Sequence, residues 1–311
     1  RVSPNSLQIS DGYSPTIGSS GKAEYYRVEV PRELSCYAMT APNPQKLDPN
    51  DKAKALVALD EFARSTQPGV WPHLDKTEII QEMRARLREP FSLNQGPQPF
   101  CGPASVLFEL IRKFPLRYVA MGRSLYETGK FQAIGRPIET SISLRNASKD
   151  IAYLGPADWM LLATMRESEN LIFPVEPNAP EIIRNIAGMT KSWEMMGWVR
   201  EILGYDHADY IHTFVLRDLT ALRKAQSVID QGGVAFGLVT ANGLLSDTPP
   251  KVTVPNHWVT LVGNTDIQKG SFWRHDSGHV SFDIFTWAKK VRVDVPEGRF
   301  EDSFWGVVLG W

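Results

Sequence analysis

The chain has 311 residues, of which 42% are hydrophobic and 22% are charged, a globular composition with enough length for one large core or two small ones. Its 34 basic and 35 acidic residues give a net charge of −1, so charge gives no reason to expect nucleic acid or an anionic membrane as partner. No apolar run reaches the roughly 18 residues of a membrane span, which leaves small molecules and proteins as expected partners.

The N-terminal region predicts irregular structure. Residues 1–45 are rich in Ser, Pro, Gly and Tyr, and contain one candidate strand, "AEYYRVEV", and one cysteine, Cys36. The first residues, "RVSPNSLQIS", lack the features of a signal peptide and do not begin with Met, so we expect the chain to be a piece of a longer protein. With the helix predicted at "LDPNDKAKALVALDEFARS", residues 1–70 form an arm and an accessory helix in this interpretation.

Helices dominate the next part of the chain. In "DKTEIIQEMRARL", Asp75 and Glu78 have the spacing of a capping box, and Pro90 ends the helix. In "NQGPQPFCGPASVLFEL", Cys101 follows a Gly/Pro-rich loop and precedes apolar residues at helical spacing, so it lies at or just before a helix start. Further helices are predicted at "LRYVAMGRSLYETGKF", "PADWMLLATMRESENLIF", "KSWEMMGWVREILGY" and "LRDLTALRKAQSVIDQ".

From Gly232 onward the pattern changes to short β-rich runs separated by Gly, Asn, Asp and Pro clusters. The runs are "GVAFGLVTA", "HWVTLVGN", "GSFWRHD", "HVSFDIFTW" and "SFWGVVLGW". Helices that come first and antiparallel strands that come last indicate an α+β domain, with the helices on one side of an antiparallel sheet.

Cys101 is the first candidate for chemistry. A thiol becomes a better nucleophile when its pKa falls, and a helix N-terminus or a neighbouring imidazolium lowers that pKa. Cysteine is also a common buried hydrophobe, so an inert Cys101 in a partner-binding module is the competing interpretation. Gln95 lies six residues before Cys101 and is followed by Gly96, so the loop can bring its amide to the thiol as an oxyanion donor.

A nucleophilic thiol needs a histidine that is close in space. Among the six histidines, His257 opens the apolar strand of "PNHWVTLVGN", where a side chain can face a cleft. Asp276 in "SFWRHDSGH" is the candidate for orienting the imidazole, although it can equally be an ordinary turn residue. Asn264 and Asp266 are the other candidates for the orienting role.

The run "DHADYIH" raises the question of a metal site, because two histidines lie near two aspartates. His207 and His212 are five residues apart, a spacing that does not place both imidazoles on one helical face as four does. No glycine-rich phosphate signature is present either. We therefore expect neither a metal nor a cofactor.

A Gln-Gly pair, a Cys-Gly pair at a helix start and a histidine that opens a strand 156 residues later resemble the papain-like cysteine hydrolases. "CGPASVLFEL" with "NHWVTL" is similar to their bacterial branch, which includes double-glycine leader peptidases and the cysteine-hydrolase toxin domains of secreted effectors. The resemblance covers mainly residues 71–311 and implies a catalytic domain of papain-like fold there. The chain departs from the plant proteases in lacking an extra Cys before the nucleophile and in having Gly102 where an aromatic residue follows it.

The resemblance implies a thiol hydrolase or acyl transferase that needs no cofactor. Its triad would be Cys101, His257 and Asp276, and Gln95 with the Cys101 backbone N–H would form the oxyanion hole. It further implies a bacterial effector or toxin protease that acts on a protein substrate in a target-cell cytoplasm, with secretion machinery and a cognate immunity protein as partners. Deamidase and transglutaminase activities remain alternatives on the same fold, as does the non-catalytic binding module.

Overall fold

The computed structural model describes residues 50–96, 98–150, 154–170, 190–213, 219–246, 254–268 and 278–311, all of which lie in the compact unit Tyr37–Trp311. This unit is α+β, with helices mainly first and an antiparallel sheet last. The helices are α1 (Asp51–Arg64), α2 (Lys76–Arg88), α3 (Cys101–Lys113), α4 (Pro115–Thr128), α5 (Ile142–Asn146), α6 (Pro156–Asn170), α7 (Ser192–Trp198), α8 (Thr220–Asp230), α9 (Ala241–Leu245) and α10 (Glu297–Ser303). The strands are β1 (Lys130–Gln132), β2 (Pro137–Glu139), β3 (Ala208–His212), β4 (Val234–Val239), β5 (His257–Gln268), β6 (His279–Thr286), β7 (Lys289–Pro296) and β8 (Phe304–Gly310).

Within the described residues, the main sheet has six strands in the order β3-β8-β4-β5-β6-β7, and all neighbouring strands are antiparallel. Every residue of β4 is buried, which is the pattern of a strand covered on both faces. Strands β1 and β2 pair only with each other, as a short antiparallel hairpin.

Helices cover both faces of the sheet. On one face, Trp258 and Phe285 belong to the same apolar cluster as α3, and the Phe285 ring stacks on Phe108 with 4.0 Å between centroids. On the other face, Val259 packs in a second cluster with residues of α8 and α10. The expectation that the helices lie on one side of the sheet is therefore wrong. Apolar side chains alternate onto both faces of β5, and each face needs its own cover.

Local signals explain where several helices begin and end. The Asp75 carboxylate accepts a hydrogen bond from the Glu78 N–H at 3.0 Å, which caps the N-terminus of α2 as predicted. Helix α2 then ends at Arg88, two residues before Pro90. Helix α7 continues as one π-helical turn, Val199–Leu203, and the segment stops at a left-handed glycine.

The helix predicted to be accessory, α1, packs into the same apolar cluster as α3 through Ala55, Leu59 and Phe62. The boundary at residue 70 stays a prediction. The candidate strands "AEYYRVEV" and "GSFWRHD" lie outside the described residues. In the described part of the chain, no helix combines the length and the apolar character that crossing a membrane requires.

Candidate active site

Cys101 is the first residue of α3. The preceding residue, Phe100, occupies the N-cap position and offers no side-chain hydrogen bond to the helix. The first three turns of α3 are buried throughout, and Cys101 itself is only 7% exposed. Its thiol forms no disulfide. The candidate nucleophile is therefore a free thiol at the start of a central, buried helix.

The start of α3 lies against the start of β5. The backbone N–H of Trp258, the residue that directly follows His257, lies close enough to the Cys101 sulfur to lower the pKa of the thiol by hydrogen bonding. One turn further along α3, the Ser105 carbonyl accepts a hydrogen bond from Thr260 Oγ1 at 3.2 Å. These contacts bring the first residue of the helix and the first residues of the strand to one place.

His257 is buried at the beginning of β5, with 5% of its surface exposed. Its Nε2 atom lies 2.6 Å from Thr286 Oγ1, at the end of the neighbouring strand β6. Its ring stacks on the Trp287 ring with 4.6 Å between centroids. Trp287 and Ala288 form the turn after β6 with positive φ angles of 45° and 57°, a left-handed conformation that is costly for residues other than glycine. This turn places the indole against the imidazole.

Of the three residues predicted to orient the imidazole, two are described by the structure, and both lie far from His257. Asp276 lies outside the described residues, so its role stays a prediction. Asn264 donates to Asp283 at 3.0 Å, and Asp266 accepts from Gln268 at 3.0 Å. Since a strand rises about 3.3 Å per residue, Asn264 and Asp266 lie more than roughly 20 Å along β5 from His257. They cannot orient it.

Burial sets the charges of Cys101 and His257. It raises the pKa of the Cys101 thiol, against the opposing effects of the Trp258 and Gly102 N–H groups and the Arg166 guanidinium. Burial also lowers the pKa of His257 from 6.5 to about 4. The N–H groups at the helix start do lower the thiol pKa, as expected, but desolvation by burial outweighs them, and the net pKa is raised. Near pH 7 the two groups are a neutral thiol and a neutral imidazole.

Gln95 is buried, and hydrogen bonds of its neighbours Asn94 and Gly96 hold its loop in place. Gly96 adopts a φ of 59°, and its N–H donates to Asn94 Oδ1 at 3.0 Å. The Asn94 N–H donates to the Asp158 carboxylate at 3.0 Å, which also accepts two hydrogen bonds from the Arg86 guanidinium at 2.7 and 3.0 Å. An ion pair between α2 and α6 thus holds the loop that precedes Cys101.

No family model and no curated protein matches this sequence. The site is characterised by a thiol at a helix start, an imidazole with one nitrogen against a hydroxyl, and a buried arginine whose charge lowers the thiol pKa. The sequence analysis predicts no role for Thr286 or Arg166. A lone threonine at a strand end gives no signal, whereas Arg166, inside the apolar helical run "WMLLATMRESEN", is a charge where the period predicts burial.

Gly102 explains one departure from the plant proteases. A methyl group added at Gly102 would collide with the Thr190 side chain, with the Thr190 Cβ only 2.6 Å away. The Trp258 indole holds Thr190 there by donating to its carbonyl at 2.8 Å. An aromatic residue after the candidate nucleophile would have no room in this structure.

The histidines of "DHADYIH" lie at the far edge of the sheet. The His207 ring stacks on Trp311 at 5.7 Å, and the His212 ring makes an edge contact with Tyr210 at 6.0 Å. Within the ranges that the structure describes, no three His, Cys, Asp or Glu side chains are grouped so that they would hold a metal ion.

Proposed function

We propose that this chain is a papain-like cysteine hydrolase or acyl transferase, with Cys101 as nucleophile and His257 as base and then acid. The observation that carries the proposal is the contact between the start of α3 and the start of β5, where Thr260 donates to the Ser105 carbonyl and the Trp258 N–H acts on the Cys101 thiol, because it brings the candidate nucleophile to the strand that His257 opens. Thr286, whose hydroxyl lies on the His257 Nε2 atom, supports the proposal as a group that can orient the base of such a triad.

The charge states favour one sequence of proton transfers. When His257 Nε2–H donates to Thr286 Oγ1, Nδ1 is left as the acceptor. In this mechanism, Nδ1 takes the thiol proton while the sulfur attacks a carbonyl carbon. His257 then gives the proton to the leaving group, and a second attack, by water or an amine, releases the acyl group from sulfur.

Gln95 and the Cys101 backbone N–H are proposed to stabilise the oxyanion that forms during both attacks. Two features support this role: Gln95 is buried in the loop just before α3, and the ion pair of Asp158 with Arg86 anchors that loop. A hydrogen-bond donor that is held in position before the reaction stabilises the oxyanion more than a donor that must become ordered during the reaction.

The proposed substrate is a protein, and the proposed role is that of a bacterial effector that acts in a target cell and is neutralised by a cognate inhibitor. Proteolysis, deamidation and transglutamination differ only in the leaving group and in the second nucleophile. They are separated by treating a target-cell lysate with the wild type or with Cys101→Ala and mapping products by mass spectrometry. Proteolysis gives new N-termini, deamidation converts Gln to Glu, and transglutamination gives cross-linked peptides. If the Cys101→Ala variant makes the same products as the wild type, the proposal is wrong.

One observation favours the alternative of a non-catalytic binding module, namely the burial of Cys101 together with the raised pKa of its thiol. Alkylation by iodoacetamide decides between the two. In a Cys36→Ser background Cys101 is the sole thiol of the chain, so the increase in protein mass on alkylation measures the reaction of Cys101 alone. The enzyme predicts alkylation of the folded protein that slows when His257 is replaced by Ala. The binding module predicts no alkylation until the protein unfolds.

A further inference from the structure

The side chain of Thr190 lies against the start of α3. A Cβ atom added to Gly102, the residue after Cys101, would meet this side chain, and the hydroxyl oxygen is the atom of Thr190 that it would meet first. Because Cα–Cβ bonds in a helix tilt toward its N-terminus, the hydroxyl lies beside the first turn, toward the end of the helix that Cys101 begins. The Trp258 indole holds Thr190 there by donating to its carbonyl at 2.8 Å.

The Thr190 hydroxyl has no hydrogen-bond partner among the described residues, although the residue is only 1% exposed. Leaving a buried hydroxyl without a partner is destabilising, and such groups are rare in folded proteins. Within the same part of the chain, every other buried threonine has a partner for its hydroxyl. These are Thr140, Thr164, Thr213, Thr240, Thr260 and Thr286. The exception is the threonine that lies at the candidate site.

The helix start beside this hydroxyl has further donors without an acceptor. Among the described residues, the N–H groups of Cys101 and Gly102 donate to no oxygen atom. Pro103 has no N–H, and the Ala104 N–H already donates to the Phe100 carbonyl at 2.8 Å. The N–H groups of a first helical turn point out of the helix end. The Thr190 hydroxyl thus lies next to two backbone donors that, like it, lack an acceptor oxygen.

A substrate oxygen that becomes an oxyanion at the Cys101 sulfur would need such donors. Cys101 and Thr190 are both buried, so the oxygen leaves water when the carbonyl reaches the thiol, and the protein must then supply its hydrogen bonds. A tetrahedral oxyanion offers three lone pairs. The proposed function assigns the Gln95 amide and the Cys101 N–H to two of them, which leaves room for one more donor.

We infer that Thr190 is this third donor, and that its hydroxyl hydrogen-bonds the oxyanion while the proton stays on Thr190. The hydroxyl has no acceptor in the resting protein, so the full benefit of the bond is gained when charge develops on the substrate oxygen. A bond that strengthens in the transition state accelerates the chemical step more than it tightens substrate binding. This inference rests on the proposed function and adds a catalytic residue to it.

Two reactions of Cys101 separate oxyanion stabilisation from thiol reactivity. With N-acetylglycinal, a small aldehyde, sulfur bonds to the carbonyl carbon, the C=O π bond opens and the thiol proton reaches the carbonyl oxygen through His257. The product is a tetrahedral hemithioacetal. Iodoacetamide instead transfers a methylene carbon to sulfur, with loss of iodide and of the thiol proton, and forms no oxyanion. The dissociation constant of the aldehyde is measured from the degree to which it slows alkylation.

Both reactions are measured in the Cys36→Ser background. Thr190→Val keeps the shape of the side chain without its hydroxyl, and we expect it to raise the dissociation constant of the aldehyde by roughly tenfold or more while the iodoacetamide rate stays that of the parent. Thr190→Ser, which keeps the hydroxyl, should bind the aldehyde nearly as well as the parent. Thr164→Val is the matched control, since it removes a buried hydroxyl that donates to the Met160 carbonyl at 2.6 Å, and neither reaction should change.

The outcomes distinguish the inference from the proposed function. If Cys101 reacts with both reagents and Thr190→Val binds the aldehyde as tightly as the parent, the inference is wrong and the proposed function stands. An equal loss in both reactions would also overturn the inference, because it indicates a role in the thiol or the fold. If the folded parent reacts with neither reagent, the proposed function fails and the inference fails with it.

Thermal unfolding checks the packing of Thr190 independently of thiol chemistry. Because Thr190→Val removes a buried hydroxyl that has no partner among the described residues, its thermal midpoint should equal or exceed that of the parent. A midpoint well below the parent would show that the hydroxyl has a structural partner in the resting protein, which would contradict the inference.

Discussion

His257 Nε2 and Thr286 Oγ1 lie 2.6 Å apart, and both residues are buried. A threonine hydroxyl orients an imidazole without supplying the negative charge that an aspartate would. In the proposed mechanism, the imidazolium that forms during attack has no ion-pair partner at this nitrogen among the described residues, and burial lowers the pKa of His257 to about 4. The proposed role of Thr286 is therefore to set the geometry of the imidazole and not its charge.

The first prediction concerns that hydroxyl. Thr286→Val keeps the shape of the side chain but leaves Nε2 without its partner, which costs about 1–3 kcal/mol for a buried polar group. If the cost falls on the transition state, turnover should decrease by roughly 5- to 150-fold. Thr286→Ser, which keeps the hydroxyl, should retain most activity. Circular dichroism checks that both proteins are folded. If Thr286→Val is then as active as the wild type, Thr286 does not orient the imidazole.

The second prediction concerns stability in acid. Between pH 6.5 and about 4 the unfolded chain binds a proton at His257 and the folded protein does not, so the free energy of unfolding decreases as pH falls through this range. At pH 4.5 the loss from this group is about 2–3 kcal/mol. Urea unfolding at pH 7.5 and 4.5 should show this loss in the wild type but not in His257→Gln. Contributions from other groups cancel in the difference, and identical pH dependence in both proteins would contradict the prediction.

The third prediction separates two buried carboxyl groups in the cluster that anchors the Gln95 loop. Burial and the neighbouring Asp158 raise the pKa of Glu82 to about 7, and the Ala157 N–H donates to its carboxyl at 2.7 Å. Stability tied to Glu82 is present below its ordinary pKa of 4.5 and is lost as pH rises through about 7. Glu82→Gln, which cannot ionise, should therefore exceed the wild type in stability at pH 8.5 and match it at pH 5.

Asp158→Asn is the contrasting change in this cluster. It removes the charge that accepts two hydrogen bonds from Arg86 and one from the Asn94 N–H. Breaking a buried pair in this way costs about 3–5 kcal/mol. Chemical unfolding at pH 6 should show a large loss for Asp158→Asn and almost none for Glu82→Gln. The reverse order would show that Glu82, and not Asp158, holds the cluster together.

The fourth prediction concerns the close approach at Gly102. Alanine there would force the start of α3 away from Thr190, because the new methyl group would lie 2.6 Å from the Thr190 Cβ. Overpacking of this kind costs about 1–3 kcal/mol, although alanine is the better helix former. Thr190→Ala should recover part of that loss in the double variant, because it removes two of the three clashing atoms. Gly197→Ala is the control, since a Cβ at Gly197 meets no atom within 4 Å.

The sequence predicts those parts of the fold that depend on neighbours in the chain. The cap at Asp75, the helix that begins at Cys101 and the strand that begins at His257 all follow from local patterns. Strand β7 has a local signal too, because polar and apolar residues alternate in "KKVRVDVP", with Val293 and Val295 buried.

The contacts of the site depend on residues far apart in the chain, and local patterns do not report them. Thr286 is 29 residues from its partner His257, and Arg166 is 65 residues from Cys101. The sequence also does not predict whether the pKa of the Cys101 thiol is raised or lowered. A helix start alone lowers it, and only the packed structure shows that burial outweighs this effect.

The last prediction separates catalysis from packing at Cys101. Because Cys101 is 7% exposed and belongs to the large apolar cluster, Cys101→Ala should cost about 1 kcal/mol whether or not the thiol is a nucleophile. Stability therefore does not decide the question, but activity does. Cys101→Ser nearly preserves the size of the side chain and should still lose turnover by about 1,000-fold or more, as does the removal of one triad member.

His257→Ala should show a defect close to that of Cys101→Ala, and the double variant should lose no more than either single variant, because members of a catalytic unit are strongly non-additive. Cys36→Ser should remain fully active, and it controls for the loss of a thiol as such. These variants are compared by turnover of the lysate product identified with the wild type. Full activity in Cys101→Ser would show that the reaction does not use this thiol, and additive losses in the double variant would show that Cys101 and His257 do not act as one unit.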